Sequence, residues 1–194
     1  NVHFWPFWSD DANVMNWTLT NGTFFESARN DNFQGMNWFG YAYNWGMVFK
    51  GSAAGVTSRI KLTNIEFDST RRGVFIQSSS EGATGQVVNF SCVAPPDQAG
   101  SDLFISDAVG VNFDWSNIRL TNSQDSAVRV TGNGAVHRFN QPWLEDWSLG
   151  SVKINAGFFA GTGSTIFATD PIYTDRAGTN PPKGGGPGTI FFQS

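Results

Sequence analysis

Two short signatures recur along this sequence at nearly fixed intervals, and a chain built that way has few folds open to it. One is an Asn followed by alternating apolar residues: Asn16-Trp17-Thr18-Leu19, Asn37-Trp38-Phe39-Gly40, Asn64-Ile65-Glu66-Phe67, Asn89-Phe90-Ser91-Cys92 and Asn117-Ile118-Arg119-Leu120. These are spaced by 21 to 28 residues, with Asn140 and Ser164 as weaker continuations. The other is a short run, Thr23-Phe24-Phe25, Met47-Val48-Phe49, Val74-Phe75-Ile76, Leu103-Phe104-Ile105, Val128-Arg129-Val130 and Val152-Lys153-Ile154, spaced by 24 to 29. The stretch 60–77 holds one copy of each. Units of this length bury an apolar face only by stacking on their neighbours, which makes a solenoid.

The units are strands. Apolar residues alternate with period two, aromatic and β-branched types dominate, and no sustained spacing of three and four appears. Stacked in register, the second signature places Thr23, Met47, Val74, Leu103, Val128 and Val152 in one inward column and Phe25, Phe49, Ile76, Ile105, Val130 and Ile154 in the next. The Asn column follows from turn chemistry, since Asn tolerates left-handed backbone and its amide can bond to the equivalent Asn one coil away. The expected fold is all-β: a right-handed parallel β-helix of about seven coils.

This coil pattern with an asparagine ladder resembles the pectate-lyase-like β-helix superfamily over residues 14 to 167. The opening Val2-His3-Phe4-Trp5-Pro6-Phe7-Trp8, with the aromatic-rich coils after it, resembles the bacteriophage tailspike proteins of that superfamily. The resemblance implies a homotrimeric receptor-binding spike on the extracellular virion tail. Such a spike grips, and often cleaves, bacterial surface polysaccharide, either capsule or lipopolysaccharide, and meets other phage tail proteins through regions outside this chain.

Length and composition set bounds. The 194 residues suit one domain with a substantial core, and the strand-like start at Asn1 is expected of a fragment of a longer chain. Only 14% of residues are charged and the net charge is −4, which argues against nucleic acid as a partner. No apolar run approaches the roughly 20 residues that span a bilayer, so membrane insertion is not expected. The single Cys92 reads as a buried small hydrophobe and allows no intrachain disulfide. His3 and His137, the only histidines, lie far apart in the stack, and no metal-ligand or Ser-His-Asp spacing surrounds them; no metal or other cofactor is expected.

The outward positions carry the candidate chemistry. Phe24, Val48, Phe75 and Phe104 form an apolar outer column of the second signature, and a continuous apolar stripe marks an interface, most simply between three parallel copies; packing against a long loop of the same chain is the alternative. On the Asn signature the outward residues are Thr18, Phe39, Glu66, Ser91 and Arg119, beside Thr20, Tyr41, Asp68, Val93 and Thr121. Glu66 and Asp68 share a strand face at a separation of roughly 6.5 to 7 Å, between the distances of retaining and inverting glycosidases. They are the candidate acid and base, with Phe39, Tyr41, Arg71 and Arg119 as substrate contacts; a solvated charge cluster is the plainer reading of the same residues. Trp5 and Trp8, flanked by Asp10 and Asp11, suit sugar stacking or simple packing, and Asp10-Asp11-Ala12-Asn13 reads as a turn. The Gly- and Pro-rich stretch 168–188 reads as a long loop.

Three functions fit: a tailspike glycoside hydrolase, a catalytically silent receptor-binding or structural spike segment, and a secreted bacterial polysaccharide lyase. The last is disfavoured because no compact Asp/Glu cluster of the calcium-dependent pectate-lyase kind occurs, and the family's catalytic residues have no counterparts here.

Overall fold

A computed structural model describes residues 2–4, 11–95, 102–150, 156–176, 178 and 181–194. The chain is a nearly all-β parallel solenoid of about six turns. One sheet of ten strands stacks Val2–Phe4, Gln34–Tyr41, Ile60–Asp68, Thr84–Val93, Asn112–Thr121, Val136–Asn140, Thr165–Thr169 and Thr189–Gln193 in order, with Trp143–Glu145 and Ile172–Thr174 as the second halves of two of its turns. A sheet of seven shorter strands runs from Thr23–Ser27 through Trp45–Phe49, Arg72–Ile76, Phe104–Ser106, Val128–Val130 and Phe158–Ala160 to Gly184–Gly185. Every pairing within these two sheets is parallel. The core lies between them.

The Asn ladder is present, at a different place in the strand from the one the sequence suggested. Asn37, Asn64, Asn89 and Asn117 have φ of 54°, 56°, 55° and 52°, in the left-handed region that Asn tolerates better than most residues. They sit in the middle of the long strands. In Ile60–Asp68 the residues Ile60, Leu62, Ile65 and Phe67 are buried while Lys61, Thr63, Asn64 and Glu66 are exposed, so the left-handed residue resets the alternation and divides the strand into two half-strands. The amides bond in a chain: Asn64 Nδ2 donates to Asn37 Oδ1 at 3.0 Å, Asn89 to Asn64 at 2.8 Å and Asn117 to Asn89 at 2.8 Å.

The ladder's ends need correction. Asn16 lies in an α-helix, Ala12–Asn21, and not on a strand. Asp11, expected in a turn, is its N-cap and accepts from the Asn13 amide at 2.8 Å. The helix buries Thr18 and Leu19 against the first turns, and it is held there by Asn44 Nδ2 on the Thr20 carbonyl and Arg71 Nη1 on the Leu19 carbonyl. Past Asn117, Asn140 pairs with Ser116, so the bend falls on Gln141 and then Asp170, with φ of 51° and 48°.

The short strands depart from strict alternation, and this moves several residues. Phe104, and not Leu103, stands in register with Val74 and Val128. Two consecutive residues face inward at the entry to these strands. Leu103 and Ala127 are buried just before Phe104 and Val128, and a Cβ on Gly46 or Gly73 would collide with Phe67 or Phe90. A strict period of two therefore slips by one. Phe104 is fully buried, edge-on to Trp115 at 4.8 Å, and is a core residue where an outward one was expected. Phe24 is likewise turned to the core end, 5.3 Å from Phe67; Phe25, and not Thr23, pairs with Met47. The true outer column is Val48, Phe75, Ile105, Arg129 and Phe159. Val152 and Ile154 lie outside the described residues, and the short strand of that turn is Phe158–Ala160.

The core holds a run of packed rings, Phe90, Phe104, Phe113, Trp115, Phe139 and Phe158, with His137 among them. His137 has no solvent exposure, and burial pushes its pKa down to about 3, so it is neutral. Trp115 Nε1 donates to His137 Nδ1 at 3.2 Å, which leaves the proton on Nε2, 2.9 Å from Ser106 Oγ. Cys92 is buried as expected, and its surroundings push the thiol pKa up.

Candidate functional site

The half-strands that follow the ladder place one outward residue each two positions after the bend: Phe39, Glu66, Ser91, Arg119 and Trp143, in register across five turns. This column floors a groove of about 500 Å³ that runs along the solenoid axis, with the Asn ladder along one side and His3 at one end. Four of the five are residues that the sequence had put on one face. His3 pairs in register with Phe39, their ring centroids 6.0 Å apart.

Arg119 is held flat at the far end. Its guanidinium carbon lies 4.6 Å from the centre of the Trp143 ring, and Nε and Nη2 donate to Glu145 Oε2 at 3.2 and 2.7 Å. Glu145 is buried, at 3% exposure, and its two oxygens also receive Thr121 Oγ1 at 3.1 Å and Arg176 Nη2 at 3.0 Å. Burying a carboxylate without partners of this kind is costly. Trp143 Nε1 donates to Thr174 Oγ1 at 3.0 Å, which fixes the ring. The result is a rigid guanidinium-on-indole platform whose orientation precedes any ligand.

Glu66 is exposed in the middle of the groove and is its one lining carboxylate among the described residues. Asp68 lies two residues on, half-buried in the next outward column between Tyr41 and Val93, and Ser69 Oγ donates to it at 3.3 Å. Tyr41 shares that column and does not line the groove. Arg71 does not join the site either, since its guanidinium reaches the helix carbonyl of Leu19. Trp5 and Trp8 lie outside the described residues.

Sequence reasoning missed Trp143 and Glu145, and it found the Asn ladder without placing it beside the site. The signal was the offset of two from each ladder residue, which gives Phe39, Glu66, Ser91 and Arg119 and would have given Trp143 had Gln141 been read as the next rung. Among the described residues no three His, Cys, Asp or Glu side chains stand close enough to hold a metal ion. No protein-family model, no curated protein and no solved structure matches this chain.

Proposed function

We propose that this protein binds bacterial surface polysaccharide, capsule or lipopolysaccharide, along the groove floored by Phe39, Glu66, Ser91, Arg119 and Trp143, as a segment of a phage tail spike. The observation that carries the reading is the column itself. Aromatic faces at both ends, a carboxylate and a hydroxyl between them, and a wall of Asn amides match a sugar's two kinds of surface, apolar C–H faces and hydroxyls. Five rungs at about 4.8 Å make a track suited to several saccharide units in line. A β-solenoid is compatible with polysaccharide-binding spike proteins, and the aromatic opening resembles that class. In a homotrimeric spike the half-buried Phe75 and Phe159 of the short-strand sheet are the residues a neighbouring copy would cover.

Hydrolysis is a second reading, favoured by the outward placement of Glu66 and Asp68 on one half-strand. Glu66 would be the residue in contact with the glycan and Asp68 its partner, although Asp68 stands outside the groove lining. Incubation with a panel of purified surface polysaccharides tests both readings. Binding that Trp143→Ala reduces about tenfold, without new reducing ends or unsaturated products, is the expected result. New reducing ends that Glu66→Gln and Asp68→Asn each lower by about 100-fold would establish the hydrolase instead. Failure to bind any member of the panel would count against both.

A further inference from the structure

The other half of each long strand, on the far side of the Asn ladder, carries a second groove of about 610 Å³. Its outward column runs Lys61, Gln86, Asp114 and Arg138 in register, and Phe167 and Phe191 continue that column beyond the groove. Arg59, Thr84 and Asn112 also line it, at the strand entrances. Three cations and one carboxylate therefore meet in a chain whose net charge is −4. They are not equally free. Arg138 donates to Asn112 Oδ1 at 2.6 Å and lies 3.6 Å from Asp114, whereas neither Arg59 nor Lys61 has a carboxylate within ion-pair distance among the described residues.

Arg59 also has an unusual backbone. Its φ is +50°, a region where a long side chain is uncommon and Asn or Gly is ordinary. The equivalent position one turn earlier is Asn32, with φ of 76°. The fold thus accepts Asn at this bend, and among the described residues no carboxylate pairs with the arginine that stands there instead. Beyond Arg138 the column ends in two stacked rings, Phe167 and Phe191 at 4.9 Å, with the Arg138 guanidinium 5.7 Å from Phe167. Cations and side-chain amides thus follow one another along the groove over three strand steps, about 14 Å.

We infer that this second groove binds an acidic oligosaccharide, with Arg59 and Lys61 taking an anionic group and the Gln86 amide, which lines the same groove, meeting its hydroxyls. The inference rests on the proposed function only in taking the ligand to be a saccharide. The anion is a carboxylate or a sulfate ester, both of which a guanidinium and an ammonium bind through charge-assisted hydrogen bonds. Discrete partners of this sort should weaken with added salt, because the groove is open and screened.

The test is titration of the 194-residue chain with hyaluronan fragments, which carry carboxylates, with dextran sulfate and with uncharged dextran. Parent, Arg59→Asn with Lys61→Gln, and Trp143→Ala are compared. The parent is expected to bind at least one anionic polymer and to lose that binding near 0.5 M salt, roughly where the screening length falls to a few ångströms. Arg59→Asn with Lys61→Gln should weaken it about tenfold or more, while thermal stability stays level or rises because Asn suits the bend. Hyaluronan and dextran sulfate distinguish the two anions.

Loss in the double variant with Trp143→Ala unchanged supports the anionic site and leaves the first-groove reading to its own polysaccharide panel. Loss in Trp143→Ala alone overturns the anionic site and leaves the first groove standing. Equal binding by parent and double variant, or competition by free sodium sulfate at matched charge concentration that displaces the polymers completely, would also overturn it, the latter by showing a simple ion site.

Discussion

Two outer faces of this solenoid are both built from stacked parallel strands, and their surfaces are opposite. Beside the ladder, the column from Phe39 to Trp143 is open and chemically mixed. On the short-strand sheet, Val48 and Ile105 are buried, at 3% and 5% exposure, and Phe75 and Phe159 are half-buried. The short-strand face shelters its own apolar residues: Trp45 stacks on Phe75 at 4.9 Å, and Arg72 covers Trp45. A stacked repeat fixes which positions point outward but not what those positions do, and here one face shelters apolar side chains while the other leaves a mixed column exposed.

The largest expected effect separates inside from outside within one strand register. Phe104→Ala should cost about 3 to 5 kcal/mol, because the ring packs edge-on against Trp115 and Phe139 in a closed core. Phe75→Ala, one column outward, should cost about 1 to 2 kcal/mol, as expected for partial exposure. Chemical denaturation of the two variants measures the gap. Equal costs would mean that the register drawn from Phe104 opposite Val74 and Val128 is wrong.

Next in size is the ladder. Asn89→Val places a β-branched residue at φ of 55° and removes both a donated and an accepted amide bond, for a cost of roughly 2 to 4 kcal/mol. Asn89→Gly keeps the backbone comfortable and loses only the amides, so it should cost about 1 to 2 kcal/mol. A larger loss from glycine than from valine in thermal melts would reject the bend as the ladder's reason.

The buried titratable groups sharpen the comparison through pH. Burial holds His137 at a pKa of about 3 against 6.5, so the unfolded chain binds the extra proton between those values and stability falls as pH drops through that window. Burial pushes Asp102 up to about 6 from 3.8, against the pull of Arg129 and the Ser126 amide, so here the folded chain holds the extra proton and stability falls as pH rises. Between about pH 4 and 6 the two oppose each other. Asp102→Asn should therefore make melting temperature climb with pH across that interval, and His137→Leu should make it decline; slopes of the same sign would contradict the assignment.

Smallest in stability is Glu66→Gln, which should change folding by less than about 0.5 kcal/mol because the side chain is exposed. Any change in glycan binding or cleavage by that variant is then a property of the groove and not of the fold.

Much of this architecture was legible because a repeat writes each position several times. The parallel stacking, the Asn bend and the column Phe39, Glu66, Ser91 and Arg119 all follow from it. What was lost shares one cause, local departure from the repeat. Asn16-Trp17-Thr18-Leu19 mimics a rung, yet Asp11 caps a helix there. Paired inward residues at Leu103 and Phe104 defeat a strict period of two. Gln141 and Asp170 replace Asn at the bend and hid Trp143. Glu145 was invisible for another reason: its role depends on Arg119 and Arg176 reaching it from other turns.

The central claim is that the open face, and not the apolar one, recognises a glycan. The most direct test is a screen of Trp143→Ala, Phe75→Ala and the parent against one array of bacterial surface oligosaccharides. The account predicts that uncharged glycans bound by the parent are kept by Phe75→Ala and weakened about tenfold by Trp143→Ala; unchanged binding by Trp143→Ala with loss in Phe75→Ala would contradict it.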